Sequence, residues 1–287
     1  MIWAVAAMMG LAACSNDSEQ EVTVEQPTHG NAVNLTTRAA GTTLPAGTSA
    51  GVYMVYDGDM RSEGNYIDNR QLTFGDDGTW MPAEPIYWRD NLIQASFYAY
   101  YPRVGEVDNA RALTFNVSEW QGDRTSVMAS DLLWGRAEIQ EPTSNAVDLT
   151  LNHLLANVII RVVAGEGFKE GEVTEENIQV QLCGVQTQTR IDLSNGDIRL
   201  LGPNSDITPC PLGNLTYQCI VAPQQLSTGN IVRLQWNGQE YTLRRAMTFE
   251  SRKQYTLTVT MNKTQGGINI GIGDWVVIDE DFGGTVS

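Results

Sequence analysis

Along most of this chain, apolar and β-branched residues recur at every second position in short runs, and that period of two limits the fold more than any other feature. The runs include AVNLTT, AGVYMVY, YIDNRQLTF, QASFYAYY, ALTFNV, AVDLTL, NVIIRVVA, NIQVQLCGV, TRIDL, DIRLL, LTYQCIVA, NIVRLQW, QEYTLRR, QYTLTVTM, INIGI and DWVVI. Gly, Asn, Asp and Pro separate them, and Asp76-Asp77-Gly78, Asn195-Gly196-Asp197 and Asn237-Gly238-Gln239 read as hairpin turns. The nearest approach to a helical period, MASDLLWGRAEI, is broken by Gly135. The pattern predicts an all-β protein, most naturally two β-sandwiches in tandem. GEGFKEGEVTEEN, residues 165–177, is charged, bears glycine and lacks alternation, so it divides an N-terminal domain at 31–165 from a C-terminal one at 166–287. The other reading of that stretch is a long loop within one domain.

The first fourteen residues do not fit the pattern. MIWAVAAMMGLAA is apolar and uncharged, long enough for the core of a secretory signal and too short to span a bilayer. No Lys or Arg precedes it. Leu11-Ala12-Ala13-Cys14 resembles the lipobox of bacterial lipoproteins, which implies a signal segment over 1–14 and lipidation at Cys14. Residues 15–30 carry Asp17, Glu19, Glu21, Glu25 and Pro27 with little that is apolar, the composition of a flexible acidic tether. Acidic residues just after the cysteine also resemble the export signal of lipoproteins sent to the outer face of the outer membrane.

Charge and side-chain inventory exclude several classes of function. A net charge of −16 argues against a nucleic-acid partner. With only His29 and His153, the chain offers poor material for a Ser-His-Asp triad or a two-histidine zinc site. The acidic pairs Asp57 and Asp59, Asp76 and Asp77, and Asp279 to Asp281 sit beside glycine, where Asp bonds local backbone, and none has the ligand count of a calcium loop. No phosphate-cradling or dinucleotide fingerprint is present in GNYIDNRQ or GGINIGIG. We therefore expect no enzyme, no metal and no cofactor. Beyond Cys14 remain Cys183, Cys210 and Cys219; Cys210 with Cys219 is the candidate disulfide, against three free thiols. Alternation puts Cys219 on the face of Tyr217 and Val221, and Cys183 on the face of Gln179 and Gln181.

Several segments together resemble the fimbrillin family, pilus-subunit lipoproteins of gut and oral Gram-negative anaerobes. They are TTRAAG around Arg38, IYWRDNLIQASFYAYYP, LNHLLANVIIRVVAG, and RKQYTLTVTMNKTQGGINIGIGDWVVIDEDFGG with its late Trp275. The resemblance implies two transthyretin-like sandwich domains, cell-surface location on a lipid anchor in the outer membrane, and polymerisation by β-strand exchange after a protease cuts at an arginine. On this chain the processing site falls at Arg38, ending a strand in which Val33 and Leu35 alternate with Asn34 and Thr36. Ile268, Ile270 and Ile272, on one face of INIGIG, mark a donor strand. The partners implied are other fimbrial subunits, the membrane through the lipid, and a host or bacterial surface ligand. A reading from a different class is a surface-tethered glycan- or peptide-binding lipoprotein, with Trp80, Tyr87, Trp88, Trp120 and Trp134 stacking on sugar rings. One lipid chain holds a protein at a membrane only marginally, so stable retention needs the multiply acylated cysteine. Cys14→Ser should move the protein from the membrane fraction to the soluble one and abolish lipid labelling.

Overall fold

The computed structural model describes residues 30–39, 44–56, 58–264, 267–272 and 276–278. The chain begins with β1 (Asn34–Ala39), β2 (Ser49–Tyr56), β3 (Ile67–Phe74), β4 (Trp80–Pro82) and β5 (Ala95–Tyr101). A 3₁₀ turn at Ala110–Ala112 leads to β6 (Leu113–Asn116), a short helix α1 (Arg124–Ser130), β7 (Leu133–Gln140), β8 (Ala146–His153) and β9 (Ala156–Ala164). Then follow β10 (Ile178–Asp192), β11 (Asp197–Ile207), β12 (Cys210–Gly213), β13 (Thr216–Val221) and β14 (Gln224–Trp236). The last strands are β15 (Gln239–Phe249), β16 (Gln254–Thr264), β17 (Gly267–Ile272) and β18 (Val276–Ile278). Nearly all of this is β structure, as the alternation requires.

The N-terminal strands form one seven-stranded sheet in the order β1-β8-β7-β5-β2-β3-β4. The sheet rolls until its two edges meet: β1 contacts β4, and Ala32 bridges to Tyr87. Inside the roll lie Val52, Met54, Leu72, Trp80, Ile86, Trp88, Phe97, Ala99 and Tyr101, with Val147, Leu149 and Leu151 from β8. Trp88 meets Phe97 edge-to-face with ring centroids 5.5 Å apart, and the Trp88 indole donates to the Thr143 carbonyl at 3.2 Å. Burial of so large an indole is tolerated because its polar N–H has found an acceptor.

A five-stranded sheet (β11-β10-β14-β15, with β6 added on β10) and a six-stranded one (β12-β13-β9-β16-β17, with β18 added on β16) enclose a second apolar cluster. Val180, Leu182, Val232 and Leu234 enter it from the first sheet, and Val158, Ile160, Tyr255, Leu257 and Val259 from the other. Tyr53, Val55, Tyr98 and Tyr100 of the rolled sheet belong to this same cluster. β2 and β5 are therefore buried on both faces. The sequence pattern leads one to expect only one of the two alternating sets in FYAYY to face inward; in the structure Phe97, Ala99 and Tyr101 fill the roll while Tyr98 and Tyr100 pack outward into the second cluster. Tyr100 donates to Asn69 Oδ1 at 2.9 Å and accepts from Val104 N at 3.1 Å, and burial pushes its hydroxyl up to about 12.

Sheet membership changes between β8 and β9. The charged stretch 165–177 is the connection from β9 to β10, and both of those strands lie in the second pair of sheets. β6 also crosses over, pairing antiparallel with β10. Buried Gln121 extends the six-stranded sheet by its side chain, donating to the Ile220 carbonyl at 2.9 Å and accepting from Ile220 N at 2.8 Å. The MASDLLWGRAEI segment is a helix only to Ser130; β7 then takes over, with Leu133, Gly135 and Ala137 inward in strand alternation. Asp123 caps α1 by accepting from Ser126 N at 2.7 Å, which also holds its carboxyl below the usual range.

Two-sided burial has a measurable consequence. Truncating a buried aromatic costs about 3–5 kcal/mol. Phe97→Ala and Tyr100→Ala point to opposite faces of β5, yet each should lower unfolding stability in guanidinium titrations by that order; were β5 buried on one face, only one of them would.

Candidate functional site

β1 sits at a sheet edge and pairs in parallel with β8 over its whole length, Asn34 opposite Ala146 through Ala39 opposite Leu151. β8 in turn meets β7 only at its end, His153 opposite Leu133 and Asn152 opposite Trp134. A side-chain carbon at Gly135 would lie 2.1 Å from the Thr150 carbonyl oxygen, so β7 and β8 cross there in a contact that only glycine permits. Among the described residues, β1 is thus the sole ladder partner of β8 between 146 and 151.

The residues just before β1 tie down the other edge of the roll. Gly30 N donates to Trp88 O at 2.8 Å, Trp88 N to Asn31 O at 3.0 Å, and Val33 N to Ile86 O at 2.8 Å. A Cβ on Gly30 would lie 2.7 Å from the Asp90 carbonyl oxygen. Val33 is buried and Leu35 packs half-buried against the same cluster as Val147, Leu149 and Leu151. Thr36 bonds Asp148, and Asn34 Nδ2 donates to Ser144 O at 3.1 Å. The clip at Ile86 and Trp88 escaped sequence reading, although IYW alternates inward, outward, inward, with Ile86 and Trp88 buried and Tyr87 exposed.

The expectation that the strand ends at Arg38 needs amending. β1 runs through it to Ala39, with Arg38 opposite Thr150, so a protease would have to act on a residue held in a ladder. An edge strand paired on one side, in the slightly weaker parallel mode, is where such a ladder opens most readily.

The C-terminal segment forms the other edge. β17 pairs antiparallel with β16, placing Ile268 opposite Lys263, Ile270 opposite Met261 and Ile272 opposite Val259; Met261 and Val259 are both fully buried. β18 continues along β16, with Val276 opposite Thr256. Residues 1–29, which include Cys14 and His29, lie outside the described residues, as do Asp57, Trp275 and Asp279 to Asp281.

Other expected groups fall into the framework. Trp80 and Trp88 are core and Trp134 is partly buried, its indole donating to Leu193 O at 2.8 Å; Trp120 and Tyr87 are exposed. The five aromatics do not make one stacking platform. His153 is buried with Nδ1 2.9 Å from Asp131 Oδ1. Cys183, Cys210 and Cys219 are buried free thiols, so the Cys210–Cys219 pairing is not made. Cys219 and Tyr217 share an inward face, as alternation implies, whereas Cys183 is buried despite its polar-face position, in the electrostatic reach of Arg233, which bonds Gln181 and Asp206. Burial, then Asp206, pushes the Cys183 thiol up to about 12. Asp77 binds its own turn through Thr79, and no cluster of three or more His, Cys, Asp or Glu is present among the described residues.

The fold is shared with solved bacterial proteins. A "putative cell adhesion protein" of Bacteroides uniformis superposes with a TM-score of 0.68 at 22% identity, over 86% of this chain and 97% of that one. The tip fimbrial protein Mfa3 of Porphyromonas gingivalis, truncated at its C-terminus, superposes with a TM-score of 0.52 at 10% identity, over 86% of this chain and 99% of that one.

 A curated relative, "Putative fimbrium tip subunit Fim1C" of Bacteroides ovatus, is 26% identical over 134 residues, which is 42% of this chain and 24% of that protein; the match spans about a quarter of the relative's length. The fimbrillin-like family model matches residues 37–275, and the chain belongs to the fimbrillin-like family. That family is one of fimbrial structural and adhesion proteins and not of enzymes.

The dependence of β8 on β1 is open to hydrogen exchange. Amides of residues 146–151 should exchange together with those of 34–39 and before those of β5, and deletion of residues 30–39 should remove protection from β8 while β14 and β16 keep theirs. Undiminished protection of β8 in the deleted protein would mean that it has another partner.

Proposed function

We propose that this protein is a structural or adhesive subunit of a cell-surface fimbria, built from two tandem transthyretin-like sandwich domains and exported as a lipoprotein anchored to the outer membrane through Cys14. Cleavage after Arg38 frees the first strand, and a strand from another subunit takes its place. The observation that carries this reading is the ladder of β8, whose residues 146–151 pair, among the described residues, with β1 alone. Loss of β1 leaves those backbone groups unpaired and removes Val33 and Leu35 from beside Val147, Leu149 and Leu151. Unpaired edge groups beside an apolar slot are what an extended strand fills by β-augmentation.

The donor in this reading is the segment 266–278. Its described strands β17 and β18 pair with β16 on one side and end their sheet. Ile268, Ile270 and Ile272 repeat at the period of two that a strand inserting into a slot requires. Family membership supports association with other fimbrial subunits.

Incubation with an arginine-specific protease, followed by N-terminal sequencing and electron microscopy, tests the mechanism. Wild-type protein should gain a new N-terminus at Ala39 and form oligomers that survive high salt, since backbone pairing and apolar insertion are not screened as surface charges are. Arg38→Ala should stay uncut and monomeric, and deletion from Gly266 onward should permit the cut but stop chain growth. Oligomers formed equally well by Arg38→Ala protein would refute strand exchange.

A further inference from the structure

On the outer face of the five-stranded sheet, three arginines converge in a chain whose net charge is −16. Arg190 on β10 stands directly opposite Arg199 on β11, and Arg111 approaches from the turn before β6. With Ala112, Asp192 and Asp197 they line a cleft of about 230 Å³. Thr189 and Ile191 alternate with Arg190 and are fully buried, so Arg190 projects outward.

The charges are incompletely matched. Arg111 Nε and Nη2 each lie 3.3 Å from Asp192 Oδ2, while Asp192 also accepts from Ser194 Oγ at 2.6 Å. Burial raises the Asp192 carboxyl, but the bonds from Ser194 and Arg111 outweigh it and hold the group below its ordinary value. Asp197 accepts from Asn195 Nδ2 at 2.9 Å. The guanidinium groups of Arg190 and Arg199 make no hydrogen bond or ion pair among the described residues. Like charges directly opposite on neighbouring strands are destabilising, and an anion held between the two forks removes that cost.

We infer that this cleft binds an acidic sugar, with the sugar carboxylate between Arg190 and Arg199. A guanidinium fork matches a carboxylate in plane and spacing. The flanking carboxylates select the rest of the ligand: Asp192 and Asp197 accept hydrogen bonds from hydroxyls and repel additional negative charge. Exposed Thr114, Asn116 and Gln188 continue the same outer face with further hydroxyl partners. A uronate unit, with one charge and several hydroxyls on a ring, meets these demands; a run of acidic side chains or a densely sulfated chain does not. The cleft is smaller than the pockets of about 300–1,000 Å³ that enclose drug-sized ligands, which suits one charged unit of a polymer held on a surface. This site lies on β10 and β11 and does not depend on strand exchange.

Titration of the uncut full chain with polygalacturonate, neutral dextran, dextran sulfate and poly-L-glutamate provides the test. Polygalacturonate should bind with an affinity that falls as salt rises, and dextran should not bind. Arg190→Gln and Arg199→Gln should each weaken polygalacturonate at least tenfold without lowering the thermal midpoint, because each relieves the repulsion between the two arginines. No binding of polygalacturonate, or binding unchanged in both variants, overturns the site. Dextran sulfate or poly-L-glutamate bound as tightly overturns the assignment to an acidic sugar. Because the protein tested is uncut, a failure here is distinct from a failure of assembly.

Discussion

The structure depends on a sheet that is apolar on both sides. β2 and β5 send Val52, Met54, Phe97 and Ala99 into the roll and Tyr53, Val55, Tyr98 and Tyr100 into the core between the other two sheets. A strand so placed cannot be shifted by one residue without exchanging its small and large side chains between two packed cores, so its pairing is strongly specified. Tyr100 suits the outward layer because it carries a polar tip that reaches Asn69 and Val104. The two halves of the chain are joined through an interior as well as through the backbone, with β6 and Gln121 reaching across.

Against that rigid centre, the two ends of the described chain are edge strands. β1 is held by one parallel ladder, by the clip at Ile86 and Trp88 and by Val33. Its contacts fall on β8 and on the closure of the roll, and not on the doubly buried strands β2 and β5. Stability is unevenly distributed in this way in proteins whose segments exchange: the element that moves is drawn from the least protected part of the fold. β17 and β18 share the same position at the edge of another sheet. In the proposed exchange, both strands involved lie outside the doubly buried core.

The arginine cleft is independent of both edges. It occupies the outer surface where β6, β10 and β11 run side by side. In a chain this acidic, a local excess of guanidinium groups also sets where an anionic ligand first meets the protein, since opposite charge focuses encounter.

Sequence by itself determined the class of structure, because a period of two and turn residues are local properties. The hairpin turns at Asp77-Gly78, Gly196 and Asn237-Gly238 fall where they were read, with φ of +78° at Gly78, +80° at Gly196 and +47° and +75° at Asn237 and Gly238. Those angles cost glycine little and most side chains much, so the residue type carries the information. Sequence also exposed Val33, Leu35 and the isoleucines of INIGIG as alternating faces. Alternation names a face but not a partner. That β9 joins the second pair of sheets, that β8 leans on β1, and that Tyr98 and Tyr100 are buried as well as Phe97 were decided by contacts between residues far apart in the chain. Cys183 became buried and Arg190 came to face Arg199 for the same reason: the side chains that surround a residue in a sheet come from neighbouring strands, and only tertiary packing chooses which strands those are.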